Sequence, residues 1–127
     1  MAGPSGDVVA GLLNDGHAEG VARAAVAEAR RRGARLRFVQ VMEEGLSAKE
    51  RADSDQATFR AAVRALSGSR GIPCRFEVVT GDPTATLLEL TRSASAIVVG
   101  EDDESDLART CLAHACCPVV TVPFHAA

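Results

Sequence analysis

The sequence predicts an α/β protein in which one parallel β-sheet lies between two layers of helices. Three observations carry this expectation. Short apolar runs alternate with helix-period stretches along the chain, in the order βαβαβαβαβ, and that alternation builds parallel sheets with right-handed crossovers. Residues 94–99 form a near-continuous apolar run, the mark of a central strand covered on both faces. Turn and cap residues punctuate the runs instead of interrupting them.

Each element has its own warrant. Residues 7–13 (DVVAGLL) read as a buried strand, and Asn14-Asp15-Gly16 as the turn after it. Residues 17–32 place Ala18, Val21, Ala22, Ala25 and Ala29 on one helical face. Arg30, Arg31 and Arg32 stand at the C-terminal end, where cations suit the helix dipole. A solvated helix end explains them, with an anion or partner site as the alternative. Gly33 suits the left-handed position that closes a helix. Residues 35–42 (RLRFVQVM) form the second strand. Ser47-Ala48-Lys49-Glu50 has capping-box spacing. It starts a helix near Ala48 whose face carries Ala57, Ala61, Ala62, Ala65 and Leu66, widened by Phe59 and Val63. That helix stops within residues 67–71. Residues 74–79 (CRFEVV) alternate apolar and polar, which suits a strand near an edge. Asp82 can cap a third helix with Pro83 in its first turn. This helix runs to about Arg92 and buries Ala85, Leu87, Leu88 and Leu90. Residues 107–115 form the fourth helix, and residues 118–122 (PVVTV) the last strand. Residues 7–123 make one domain, preceded by a six-residue N-terminal segment and followed by a tail at 124–127.

Composition narrows the function. A chain of 127 residues, 46% apolar and 24% charged, can bury a single core without metal or disulfide staples. Four Phe with no Tyr or Trp leave little aromatic surface for stacking bases. A net charge of −3 gives no electrostatic case for nucleic acid or an anionic membrane. No apolar run approaches the length of a membrane span, and the short polar start does not read as a signal peptide. Four cysteines, at 74, 111, 116 and 117, are too sparse for a disulfide scaffold. A reducing cytoplasm is the expected location.

Ligands of open parallel sheets sit beyond the carboxyl ends of the strands. Here the rim is residues 12–16, 41–44 and 100–105. It offers no G-x-G-x-x-G and no Walker loop. Glu101-Asp102-Asp103-Glu104-Ser105-Asp106 instead puts five carboxylates in six residues, which repel a triphosphate. Acids favour a helix N-terminus, so helix stabilisation near Ser105 or Asp106 explains them. A hard-cation site and a basic protein partner are the alternatives. Cys111, His114, Cys116 and Cys117 are close enough in sequence to suggest zinc. However, Cys111 follows Leu107 on the buried face, and adjacent cysteines are poor co-ligands for one tetrahedral ion. Reduced core or interface thiols are expected, with a redox role for Cys116-Cys117 as the alternative. His17, beside Asp15, has no nucleophile next to it in sequence and reads as an exposed helix-start histidine. Ser105, Asp106 and His114 do not make a triad. No catalytic residue, metal ligand or cofactor is expected.

Three fragments resemble one family. His114-Ala115-Cys116-Cys117-Pro118-Val119-Val120-Thr121-Val122 is similar to the closing HAPCPVLVV pattern of the universal stress protein family. Val78-Val79-Thr80-Gly81-Asp82-Pro83 is similar to its V..G-D-P lead into the third helix. Ser95-Ala96-Ile97-Val98-Val99-Gly100 is similar to its ADLIVVG strand. The resemblance runs over nearly the whole chain. It implies a Rossmann-like three-layer α/β/α fold of the adenine nucleotide alpha hydrolase-like type, with strand order 3-2-1-4-5. It also implies a homodimer paired through the last strands, at Val119, Val120, Thr121 and Val122. An exposed edge strand invites such pairing.

The departures from the family pattern bear on function. ATP-binding members carry G-x2-G-x9-G-[ST] after the fourth strand, and here only the first glycine is present, as Gly100. Position 103 is Asp. Anchored from His114, the final pair falls on Ser105 and Asp106, about eight residues early. The family's adenine-side Asp corresponds to Leu12, with Asp15 three residues later. Val41 matches an adenine-contact position, and a core valine explains it as well. The rim residues Leu12, Asp15, Val41, Gly100 and Ser105 are thus a vestigial nucleotide site. The expectation is a non-enzymatic stress-response or regulatory protein that does not bind ATP and acts through a protein partner or small ligand. The alternative is a member binding ATP or AMP through a rebuilt site.

Overall fold

A computed structural model describes residues 6–13, 16–69, 71–101 and 106–123. Five strands and four helices alternate: β1 (Val8–Leu12), α1 (Ala18–Arg32), β2 (Leu36–Met42), α2 (Ala48–Leu66), β3 (Cys74–Thr80), α3 (Pro83–Leu90), β4 (Ala96–Gly100), α4 (Leu107–His114) and β5 (Val119–Val122). The strands form one sheet in the order β3-β2-β1-β4-β5, and every pairing is parallel. Sheet and helices together make the three-layer α/β fold the sequence implied.

The period of two along each strand divides the core. Val8, Ala10, Leu12, Leu36, Phe38, Ala96 and Val98 face α1 and α2, where they meet Val21, Ala22, Ala25, Val26, Ala29, Ala62 and Ala65. Val9, Val39, Val41, Ile97 and Val99 face the other way and meet Leu87, Leu107, Ala108 and Cys111 of α3 and α4. Strands β1 and β4 are therefore covered on both faces, as the apolar run at 94–99 required. Small Ala side chains on α1 and α2 bring those helices close to the sheet.

The cap signals hold at three helix ends. Gly33 closes α1 in the left-handed conformation at φ 64°, and the Ala34 N–H donates to the Ala29 carbonyl at 3.0 Å. Arg31 and Arg32 pair with Glu28, and Arg30 reaches Ser69 Oγ at 2.7 Å. The arginine run is thus an ion-paired, exposed helix end. Ser47 and Glu50 complete a capping box at α2. Asp82 accepts the Ala85 N–H at 2.8 Å, with Pro83 at the first helical position.

Two buried faces differ from expectation. Helix α2 buries Ser54, Thr58, Ala61, Ala62 and Ala65, while Ala57 and Phe59 turn outward and Val63 stays half exposed. The reason is local polar satisfaction. Thr58 Oγ1 donates to the Ser54 carbonyl at 3.0 Å, and Ser54 Oγ accepts from Gln40 Nε2 at 2.9 Å. Hydroxyls paired in this way are cheap to bury. Helix α3 ends at Leu90, buries Leu87 fully and leaves Ala85 exposed.

Candidate functional site

Strand order reverses between β1 and β4. From β1 the chain crosses to α1 on one face, and from β4 it crosses to α4 on the other. The carboxyl ends of these two strands therefore flank the crevice where such sheets take ligands. Asp15 and Ser105, together with Asp102, Asp103 and Glu104, lie outside the described residues. The remaining rim residues are Leu12, Val41 and Gly100.

Leu12 is completely buried in the α1–α2 layer of the core. Val41 is buried in the α3–α4 layer. Both are packing residues at strand ends, and they lie on opposite faces of the sheet. Gly100 ends β4 beside Val122, and the Glu101 N–H donates to the Val122 carbonyl at 2.8 Å.

His17 is the residue that sequence reasoning misjudged. It is buried at 7% exposure instead of standing in solvent. Its side chain lies against Gly100: a Cβ added to that glycine would come within 2.7–2.9 Å of the His17 Cβ, Cγ and Cδ2. Real Cβ atoms do not approach that closely, so the glycine is required by its neighbour. The His17 carbonyl accepts the Val21 N–H at 2.9 Å, which fixes the residue at the base of α1. An imidazole from the β1–α1 connection thus covers the end of β4. The signal in the sequence was Gly100 itself, but its partner lies 83 positions away and no local pattern links them.

A second buried polar group also escaped the sequence reading. Gln40 is fully buried beside Leu12 in the β1–β2 register. Its amide reaches Ser54 across to α2, so it ties sheet to helix.

The cysteine-rich end separates into unlike environments. Cys111 is buried, Cys117 is half-buried, and Cys116 is exposed. Burial, with the Cys117 thiol adding to it, pushes the Cys111 thiol above its ordinary range. Burial raises Cys117 as well. The Cys116 N–H donates to Thr91 Oγ1 at 3.1 Å, which ties the turn before β5 to the end of α3. His114 is exposed. Among the described residues, no three His, Cys, Asp or Glu side chains gather where a metal could be held. Asp106 precedes α4 without capping it by its side chain and pairs with Arg109 at 3.2 Å.

Other cavities lined by described residues, of about 200 and 240 Å³, open at the amino ends of the strands around Asp7, Arg35, Arg37 and Arg75. Asp7 pairs with Arg35 at 3.2 Å, and Arg37 pairs with Glu77, so much of the charge there is already matched.

Strand β5 forms one edge of the sheet. Val120 and Val122 pack on the α1–α2 layer and Val119 on the α3–α4 layer. The Pro118 and Val122 carbonyls bond to β4. The alternating backbone of the strand therefore turns the groups of Val119 and Thr121 outward. No helix is long and apolar enough to cross a membrane among the described residues.

Comparison with known proteins places this geometry. The description that matches the chain is the universal stress protein family, over residues 6–123. No curated protein matches. Among solved structures, the universal stress protein from Archaeoglobus fulgidus in complex with dAMP is similar at 24% identity and a TM-score of 0.72, covering 92% of this chain and 97% of that one. A universal stress protein in complex with cAMP has a TM-score of 0.76 at 18% identity, covering 94% of this chain and 98% of that one. A family protein from Arabidopsis thaliana with AMP bound has a TM-score of 0.66 at 17% identity, covering 95% and 93%.

Proposed function

Because the chain belongs to the universal stress protein family, we propose that it is a non-enzymatic regulatory member, acting in the cytoplasm as a homodimer and not through ATP. The observation that carries this reading is the His17 side chain against Gly100, at the place where an open sheet of this kind takes its ligand. Two further features support it. Leu12, where ATP-binding members have their adenine-side Asp, is sealed in the core. The segment after Gly100 is short and acidic, which opposes a polyphosphate by like charge.

A second reading has its own support. Three structural neighbours hold dAMP, cAMP or AMP, and those complexes favour a nucleoside monophosphate in this crevice. A single phosphate meets less repulsion than three. His17 would then have to move for the ligand to enter. Isothermal titration with ATP and with AMP, each with and without Mg²⁺, separates the readings. The first expects no saturable heat below about millimolar ligand, a binding free energy weaker than about −4 kcal/mol. Saturable micromolar binding of AMP establishes the second instead.

The homodimer is proposed through β5. Thr121 turns its N–H toward the open edge, so Thr121→Pro removes a donor there without touching the β4 ladder. Light scattering of Thr121→Pro and of Val119→Pro, each of which removes an outward N–H, should show a smaller particle than wild type. An unchanged particle size in both rejects this edge.

A further inference from the structure

The sheet has a second edge, β3, and its chemistry is self-complementary. The Pro73 carbonyl accepts the Leu36 N–H, and the Gly81 N–H donates to the Met42 carbonyl. Odd-numbered residues of β3 therefore direct their backbone groups to β2. The alternating strand turns the N–H and C=O groups of Cys74, Phe76, Val78 and Thr80 outward. Among the described residues, no strand pairs with that side.

The surface beside this edge is apolar. Phe59 and Val63 of α2 are each 50% exposed, and Val78 is 41% exposed. These are three of the four exposed large apolar residues among those described. Phe59 meets Phe76 edge-to-face with ring centroids 5.3 Å apart, so helix and strand form one continuous patch. Such a patch beside an open edge is a site for strand addition.

We propose that this edge binds a second copy of the chain, with the two β3 strands antiparallel about a two-fold axis at Phe76. In that register the outward groups of Phe76 bond to those of the partner copy's Phe76. Cys74 and Val78 pair reciprocally in the same way. Arg75 then lies opposite the partner's Glu77, and Glu77 opposite the partner's Arg75. These are non-hydrogen-bonded positions, where opposing side chains stand closest. Each Glu77, already paired with Arg37, then lies between that guanidinium and the partner copy's Arg75. Sliding the strands to the adjacent register that still bonds the outward groups sets Arg75 against Arg75. Sliding the other way sets Glu77 against Glu77. Like charges directly opposite are destabilising, so the sequence selects one register. On the other face of the sheet, the two Phe76 rings meet and the two α2 shoulders carrying Phe59 and Val63 cover them. The occupant is another copy because the Arg75-Phe76-Glu77 spacing is complementary to itself in the antiparallel sense.

The pairing is independent of β5 and, at high concentration, extends the β5 homodimer into larger assemblies, so it is tested on the full chain carrying Thr121→Pro, in which β3 is the one edge left to pair. Sedimentation at about 100 μM, well above a micromolar dissociation constant, should show a dimer. Adding Arg75→Glu to one sample and Glu77→Arg to another should give two monomers, each with like charges across the edge. Mixing the two should restore a dimer, a heterodimer, because every cross-strand pair is then opposite in sign. Melting curves confirm that each variant is folded. Glu77→Arg also loses its Arg37 partner; should it fail to fold, Val78→Pro takes its place, since it removes an outward N–H without touching the β2 ladder and should give a monomer. A monomeric Thr121→Pro chain overturns the proposal. So do single variants, or a folded Val78→Pro, that remain dimeric, or a mixture of the two charge variants that stays monomeric.

Discussion

At the scale of single residues, His17 and Gly100 decide how the ligand end of the sheet is built. Gly100→Ala forces a methyl group into the His17 side chain and should cost about 1–3 kcal/mol, the usual penalty of overpacking. In a His17→Gly background the same change should cost much less, because all three obstructing atoms, the Cβ included, are gone. A double-mutant cycle by urea unfolding reads this coupling directly; equal costs in both backgrounds refute the contact. The thiols offer a second residue-scale test. Thiolate is the reactive species, and burial disfavours it at Cys111 and Cys117. Native thiol titration should modify Cys74 and Cys116 quickly, Cys117 slowly, and Cys111 only on unfolding. Rapid modification of Cys111 contradicts its placement on the buried face of α4.

At the scale of elements, what was legible in the sequence was whatever is determined locally. The capping box at Ser47, the Asp82-Pro83 start and the Gly33 stop each depend on a few neighbouring residues, and all three are in place. Ser47→Ala removes the hydrogen bond to the Glu50 N–H at 3.1 Å and should cost about 1 kcal/mol in thermal or urea unfolding. The face of α2 was misread because hydrophobicity alone was counted. Ser54 and Thr58 are buried in place of Ala57 and Phe59, since Gln40 and the helix carbonyls satisfy them. That satisfaction depends on β2, which no periodicity in α2 reveals. His17 was missed for the same reason: its burial is set by a glycine at the far end of the chain. Leu12 and Val41 were correctly placed at strand ends, and their packing on opposite faces emerged only from the fold. Asp15 and Ser105 lie outside the described residues.

At the scale of the whole molecule, the sheet has two edges with no paired strand among the described residues, and His17 packs on Gly100 at its switch point. Acid stability follows from its ion pairs. Arg32, and after it Arg31, hold the Glu28 carboxyl below the ordinary carboxylate range. A depressed folded-state value contributes stability above the unfolded value of about 4.3, and that contribution is lost as pH falls through the folded value. Glu28→Gln should therefore destabilise the chain near pH 7 by a few tenths to about 1 kcal/mol. Thermal unfolding should show the difference shrinking below about pH 4. A gap that stays constant from pH 7 to about 3 contradicts this. His17 and the core are proposed to close the crevice between β1 and β4 against nucleotide. The most direct measurement is an amide NMR titration that follows Leu13, His17, Gly100 and Glu101. These resonances should stay unshifted by ATP or AMP up to about 1 mM; saturable shifts at Gly100 and His17 would contradict the claim.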